Sequence, residues 1–307
     1  MKHRMFCNAV AALLMALTVP MAHADETLRV AAGQRGGIFK KHGLSLEILY
    51  TQGAGETQQA VISGSVEIGV APGVMGVLSA FSKGAPVRVI GAETTGASDL
   101  FWYVPSSSPI KSLKDTDGKT IAYSTNGSST HGIVTAFMKQ YDLKARPTAT
   151  GGPAPTLTQV MSNQIDVGWS APPFGLQQLD EGKIRIIATG NDAAIFKGQT
   201  VRLLITNVQT LQQRKPVVER FMKAYRETID WLYSDDPAAL KTYADFVGIS
   251  VATAKRTRDG FFPKSAVDPD KITGLDQIVQ DAVVLKFTAA PLTKEQLAEL
   301  IQIPPRQ

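Results

Sequence analysis

The chain has 307 residues, with 32 Lys and Arg against 27 Asp and Glu, a formal net charge of +5 and 44% hydrophobic residues. A balance this mild, with no dense basic run interleaved with aromatics, argues against nucleic acid as a partner. The one cysteine is Cys7, so everything after it lacks a disulfide, a thiol nucleophile and a cysteine metal site.

Residues 1–24 read as an export signal. Lys2 and Arg4 make a basic start, Phe6 to Met21 is mostly apolar, and Ala22-His23-Ala24 fits a small-residue cleavage site. The apolar run contains Asn8 and Pro20 and is too short for a membrane span of about 20 residues. Cys7 lies too early for lipid attachment after that run. Cleavage leaves 307 − 24 = 283 residues, enough for two domains, and without Lys2 and Arg4 the net charge is 30 − 27 = +3. An exported, periplasmic protein is expected.

Leu28 to Ile48, "LRVAAGQRGGIFKKHGLSLEI", predicts a strand, a Gly-rich turn, a short helix and a second strand. A repeat measures how short that helix is. Phe39 to Val70 aligns without a gap on Met138 to Trp169 at an offset of 99 residues. Lys40 matches Lys139, Thr51 matches Thr150, Gly53 matches Gly152, Thr57 matches Thr156, Val61 matches Val160 and Gly69 matches Gly168. Duplication implies two lobes of one build. From Ile121 to Met138 the second copy takes 17 steps and from Val30 to Phe39 the first takes 9, a loss of about two helical turns. A deletion and a merely divergent helix both fit.

In the second copy "KTIAYS" predicts a strand and "SSTHGIVTAFMKQY" a helix, with Ile133, Val134, Phe137 and Met138 at helical spacing. "PTLTQVMSN" predicts a helix, "IDVGW" a strand, "PPFGLQQLDEG" a helix and "IRIIAT" a strand. Such alternation implies parallel pairs, with ligands beyond the carboxyl ends of the strands. "PSSSP", Pro105 to Pro109, and "LLITNVQ", Leu203 to Gln209, are expected to be the two crossings, with hinges near Pro105 and Thr206. That gives lobe 1 as residues 25–105 plus 207–307 and lobe 2 as 106–206. Helices follow in "KPVVERFMKAYRETIDWLYSDDP", after Asp236-Pro237, in "DPDKITGLDQIVQDAVVLKF" and in "TKEQLAELIQ".

Catalytic and cofactor motifs fail on inventory. After the signal the histidines are His42 and His131, with no cluster at metal-ligand spacing. "DGKT" lacks the glycine of a phosphate loop, because Leu113 stands there. "GAGETQ" ends on Gln58 and fails as a dinucleotide fingerprint, and no G-x-S-x-G elbow occurs. No catalytic residue, metal or cofactor is therefore assigned. "STNGSSTHG", Ser124 to Gly132, offers hydroxyls and backbone N–H groups at a helix start, an arrangement suited to an anion.

The chain resembles the solute-binding proteins of ABC importers in the nitrate/sulfonate/taurine, SsuA/THI5-like group. The carriers are "GIFKKHGLSLEI", "SGSVEIGVAPG", "KGAPVRVIGA", "SPIKSLKDTDGKTIAYSTNGSSTHG" and "SNQIDVGWSAPPF". The resemblance implies an α/β, type II periplasmic-binding-protein fold of two similar lobes closing on a small polar, anionic solute. A membrane permease would be the partner of a monomeric receptor. It also implies ligand contacts from Gly33, Gln34, Gly53, Gly55, Pro72, Gly73, Asn126, Ser128, Ser129, Thr130, Trp169 and Ser170. A pyrimidine-binding or pyrimidine-metabolising protein and a degenerate paralogue with a shortened first crossover are the alternatives.

Overall fold

The computed structural model describes residues 32–306. The export signal and the first expected strand, at Leu28, lie outside them. Nearest the start, residues 32–35 form one helical turn and Ile38–Lys41 (α1) another. Gly36 and Gly37 break them, Gly37 sitting at φ 79°, where a side chain would be strained. Ala54–Ile62 (α2), Ile68–Gly73 (β1), Val74–Ser82 (α3) and Val87–Ala92 (β2) complete the first unit. The second holds Phe101–Pro105 (β3), Thr120–Tyr123 (β4), Ser129–Gln140 (α4) and Arg146–Ala149 (β5). It continues through Pro153–Met161 (α5), Gly168–Ser170 (β6), Leu176–Asp180 (α6) and Ile184–Thr189 (β7).

Arg202–Asn207 (β8) then returns to the first lobe and lies between β1 and β2, antiparallel to both. All six of its residues are buried, as the apolar, β-branched "LLIT" requires of a central strand. In the second lobe β4 and β5 are parallel, and Ile121 bridges Val167 in parallel just before β6. β3 lies antiparallel between β6 and β7. The parallel pairs are those expected. The antiparallel strands were not foreseen.

These strands correct the lobe boundaries. β3 was expected to end the first lobe and instead belongs to the sheet of the second, while β8, expected as a crossing, is the centre of the first. The crossings are therefore residues 93–100 and 190–201. "PSSSP" is a turn within the second lobe, where the Ser106 N–H donates to Lys183 O at 3.0 Å. The Ser/Pro composition was expected to mark a crossing, but pairing with β6 and β7 decided which sheet the preceding strand joined.

The duplication survives as a repeated bond. Thr51 and Thr57 hydroxyls meet at 2.7 Å before α2, and Thr150 and Thr156 hydroxyls meet at 2.7 Å before α5. The copies diverge elsewhere. Leu44 to Ile48 was expected as a strand, yet it pairs with no strand among the described residues. Its counterpart β5 pairs with β4, and the sequence counterpart of β4 lies at Val30, outside the described residues.

The C-terminal third packs back on the first lobe. After the short helix Val208–Gln213 (α7), Lys215–Leu232 (α8) buries Val218, Phe221, Met222, Tyr225 and Ile229 in one cluster with Phe39, Ile90 and Leu204. Phe39 and Phe221 rings lie 5.4 Å apart. Pro237–Val247 (α9) starts on an Asp236 cap, and Leu275–Val284 (α11) and Lys294–Leu300 (α12) also form as expected. Val251–Phe261 (α10) was missed, because Ala254 and Thr257 are its only buried residues and leave little periodicity to read.

Candidate functional site

A cavity of about 720 Å³ separates the lobes. Three helices of nine or more residues begin at its wall. Gly53 and Ala54 open α2, Ser129 and Thr130 open α4, and Gly152 and Pro153 open α5. Each start follows the carboxyl end of a strand or extended segment, so unpaired N–H groups and the positive ends of three helix dipoles face one space.

Ser128 Oγ accepts the His131 N–H at 3.1 Å and caps α4. Thr130 Oγ1 accepts the Ser124 N–H at 2.9 Å and sits 2.9 Å from Ser128 Oγ. These hydroxyls thus fix the turn, while Ser124, Ser129 and Thr130 reach the cavity. Trp169 forms the apolar wall. It is 7% exposed, and its indole Nε1–H has no hydrogen-bond partner. A buried N–H left so costs roughly 1–3 kcal/mol. Arg202 and Asp99 also line the cavity, joined at 2.5 Å with side chains 5% and 2% exposed.

The lobes touch along a seam of glycines beside the cavity. The Gly55 N–H donates to Thr125 Oγ1 at 2.9 Å. A Cβ on Gly55 would lie 2.1 Å from Asn126 O, one on Gly73 2.5 Å from Ser129 N, and one on Gly76 2.1 Å from Gly127 O. Only residues without a side chain allow backbone this close.

Of the residues expected to contact a ligand, Gly53, Ser129, Thr130 and Trp169 line the cavity. Gly55, Gly73 and Asn126 lie on the seam, Ser128 is the cap, and Pro72 is buried beside Gly73 at the end of β1. Ser170 Oγ donates to Phe174 O at 2.9 Å. Gly33 and Gln34 are elsewhere: a Cβ on Gly33 would lie 2.2 Å from Thr228 Oγ1 on α8, and Gln34 Nε2 donates to Leu46 O. Asp99 and Arg202 were missed. Their signal was a lone charge abutting an apolar strand, in "SDLFWYV" and "TVRLLIT".

His131 lies against Tyr123 at 4.7 Å and edge-on to Phe287 at 5.5 Å, and its Nδ1 accepts the Gly127 N–H at 3.2 Å. Burial lowers its pKa below the ordinary 6.5. The unfolded chain thus takes up the proton first as pH falls. The stability held by neutral His131 is complete above 6.5 and is lost as pH falls through the lower folded pKa. Thermal melts from pH 7 to about pH 5 should show Tm dropping, and His131→Gln should flatten that slope. An unchanged slope in the variant assigns the loss to other groups.

The NMT1/THI5-like family model matches residues 26–239. The chain belongs to this family. The alkanesulfonate-binding protein SsuA from Xanthomonas axonopodis pv. citri, bound to MOPS, superposes with a TM-score of 0.74 at 17% identity, over 91% of this chain and 96% of that one. The periplasmic nitrate-binding protein NrtA from Synechocystis superposes with a TM-score of 0.67 at 11% identity, over 90% and 82%. This NMT1/THI5-like chain therefore has the periplasmic-binding-protein fold expected of it. Among curated proteins it is 22% identical over 224 residues to the 4-amino-5-hydroxymethyl-2-methylpyrimidine phosphate synthase THI5 of Saccharomyces cerevisiae. That match covers 69% of this chain and 65% of the yeast protein. Among the described residues no group of three or more His, Cys, Asp or Glu is placed to hold a metal ion, and no helix is long and apolar enough to cross a membrane.

Proposed function

We propose that this chain is the exported solute receptor of an ABC importer, taking a small polar solute between its lobes and presenting it to a membrane permease. The observation that carries this reading is the cavity walled by three helix starts. Backbone N–H groups at helix starts are donors, so the matching solute offers acceptor oxygens, as a sulfonate, nitrate or carboxylate does. Gly53, Ser129, Thr130 and Trp169 hold it; Gly55, Gly73 and Asn126 act as the lobes meet. Closure follows from the solute touching both lobes and so favouring the form in which they are together. Crossings 93–100 and 190–201 flex as the hinges.

A thermal-shift screen of the purified chain with ethanesulfonate, nitrate, simple carboxylates and pyrimidines tests this. A solute at about 100 times its Kd should add about 2.7 kcal/mol of stability and raise Tm by several degrees. A folded protein with no shift across the panel at millimolar concentration sinks the reading. The yeast relatives are named synthases, and an enzyme on this scaffold is the rival. Turnover of a bound pyrimidine would favour it.

A further inference from the structure

We infer that the α9–α10 hairpin clasps the second lobe: Phe174 and the Asp180–Arg256 ion pair make an inter-lobe contact that forms as the cleft closes and parts as it opens. The inference deepens the receptor reading above and rests on it. α9 and α10 follow α8 and pack with it on the first lobe, where Leu232, Tyr243 and Ala254 share one buried cluster with Ala32. The Arg35 guanidinium lies 4.6 Å over the Phe246 ring and ties α9 to the same lobe. Onto this cluster the second lobe packs Phe174, from the turn after β6. Arg256 Nη1 donates to Asp180 Oδ1 at 2.9 Å and to Oδ2 at 2.8 Å, joining α10 to the end of α6.

The contact is built outward from the cavity wall. Trp169 and Ala171 line the cavity, and Phe174 is fastened to the same turn. Its N–H donates to Ala171 O at 3.0 Å, and its carbonyl accepts from Ser170 Oγ at 2.9 Å. A displacement of the wall therefore moves Phe174 against α9 and α10. Neither the two crossings nor the glycine seam supplies any of these residues, so the clasp is a separate tie between the lobes. Its two parts differ in strength. Phe174 holds by apolar burial. The ion pair, with side chains 59% and 49% exposed, adds little hold and gives direction that salt screens. Within α10 only Ala254 and Thr257 are buried. Core packing thus gives little reason for this helix, whereas presenting Arg256 to the other lobe does.

Two measurements that need no solute test the clasp. The sequence has one cysteine, Cys7, so Asp180→Cys with Arg256→Cys in a Cys7→Ser chain gives a single thiol pair across the contact. A short bismaleimide should cross-link most molecules within the chain. Adding Phe174→Ala should slow that reaction by about five-fold or more, because the apolar hold is lost. If that variant does not fold, Phe174→Leu replaces it, with a slowing of about two-fold or more. In the chain without added cysteines, Arg256→Glu should enlarge the radius of gyration in small-angle scattering at low salt, and adding Asp180→Arg should restore it. Absence of the cross-link, a rate indifferent to Phe174, or a charge reversal that has no effect or is not rescued by the swap overturns the inference. Nitrate and ethanesulfonate, added to the thiol-pair chain, keep the receptor reading separate. A rate that depends on Phe174 and rises with neither solute supports the clasp and counts against the receptor.

Discussion

Gly76→Ala is expected to weaken solute binding ten-fold or more while leaving its own helix intact. Within α3 the change is favourable locally, since Ala exceeds Gly in helix propensity by about 1 kcal/mol. The new Cβ would nonetheless lie 2.1 Å from Gly127 O and 2.9 Å from Gly127 Cα, on the other lobe. Both are backbone atoms, so no rotamer relieves the clash and the lobes must part. Apparent affinity falls in proportion to the fraction of molecules that can still close. Gly260→Ala is the control, because Gly260 lies in α10 with nothing within 4 Å of its Cβ position. It should raise Tm slightly and leave affinity alone. Small-angle scattering of Gly76→Ala with saturating solute should show a larger radius of gyration than the wild type. A variant that binds and compacts like wild type would remove the seam from the closing mechanism.

The second large effect is on stability. Trp102→Ala should cost about 3–5 kcal/mol, the usual loss for a buried tryptophan. Trp102 in β3 is fully buried, its ring meets Phe137 edge-on at 5.0 Å, and its Nε1–H donates to Ala122 O at 2.9 Å. It therefore ties β3 both to α4 and to β4, across strands that share no direct pairing. Trp102→Phe should recover part of the loss by refilling the ring volume while leaving the Ala122 carbonyl without that donor. Chemical denaturation measures both, and a loss under about 1 kcal/mol for Trp102→Ala would show that the second lobe does not depend on this contact. Trp169 stands opposite Trp102 in the β3–β6 register, so the same strand that closes the core also seats the cavity wall.

Local chemistry marked some of the elements that wall the candidate site, and the family resemblance supplied the expected contacts. Ser128, one of the two adjacent serines whose hydroxyls stand at that helix start, caps α4, and the repeat aligned Gly53 with Gly152, which open matching helices. Thr51 with Thr150, and Thr57 with Thr156, were visible as aligned pairs, and the hydroxyl contact repeated within each copy, Thr51 to Thr57 and Thr150 to Thr156, is the physical content of that alignment. Gly55, Gly73 and Asn126 were expected as ligand contacts from the family resemblance, and the structure places them on the surface where the lobes meet. Nothing in one chain segment says which backbone will approach it from another lobe. Asp99 and Arg202 are 103 residues apart, and only the return of β8 brings them together.

The sequence by itself determined the two-lobe plan, the strand and helix alternation of the second lobe, the apolar face of α8 and the family. Each of these is written in short-range periodicity or in a repeat, where neighbouring residues settle the outcome. Tertiary structure decided which sheet β3 and β8 entered, where the crossings lie, which glycines meet across the cleft and which charges cancel inside it. Those features depend on pairing between distant segments, and the free energy that selects a pairing is held by the partner strand and the burial it brings.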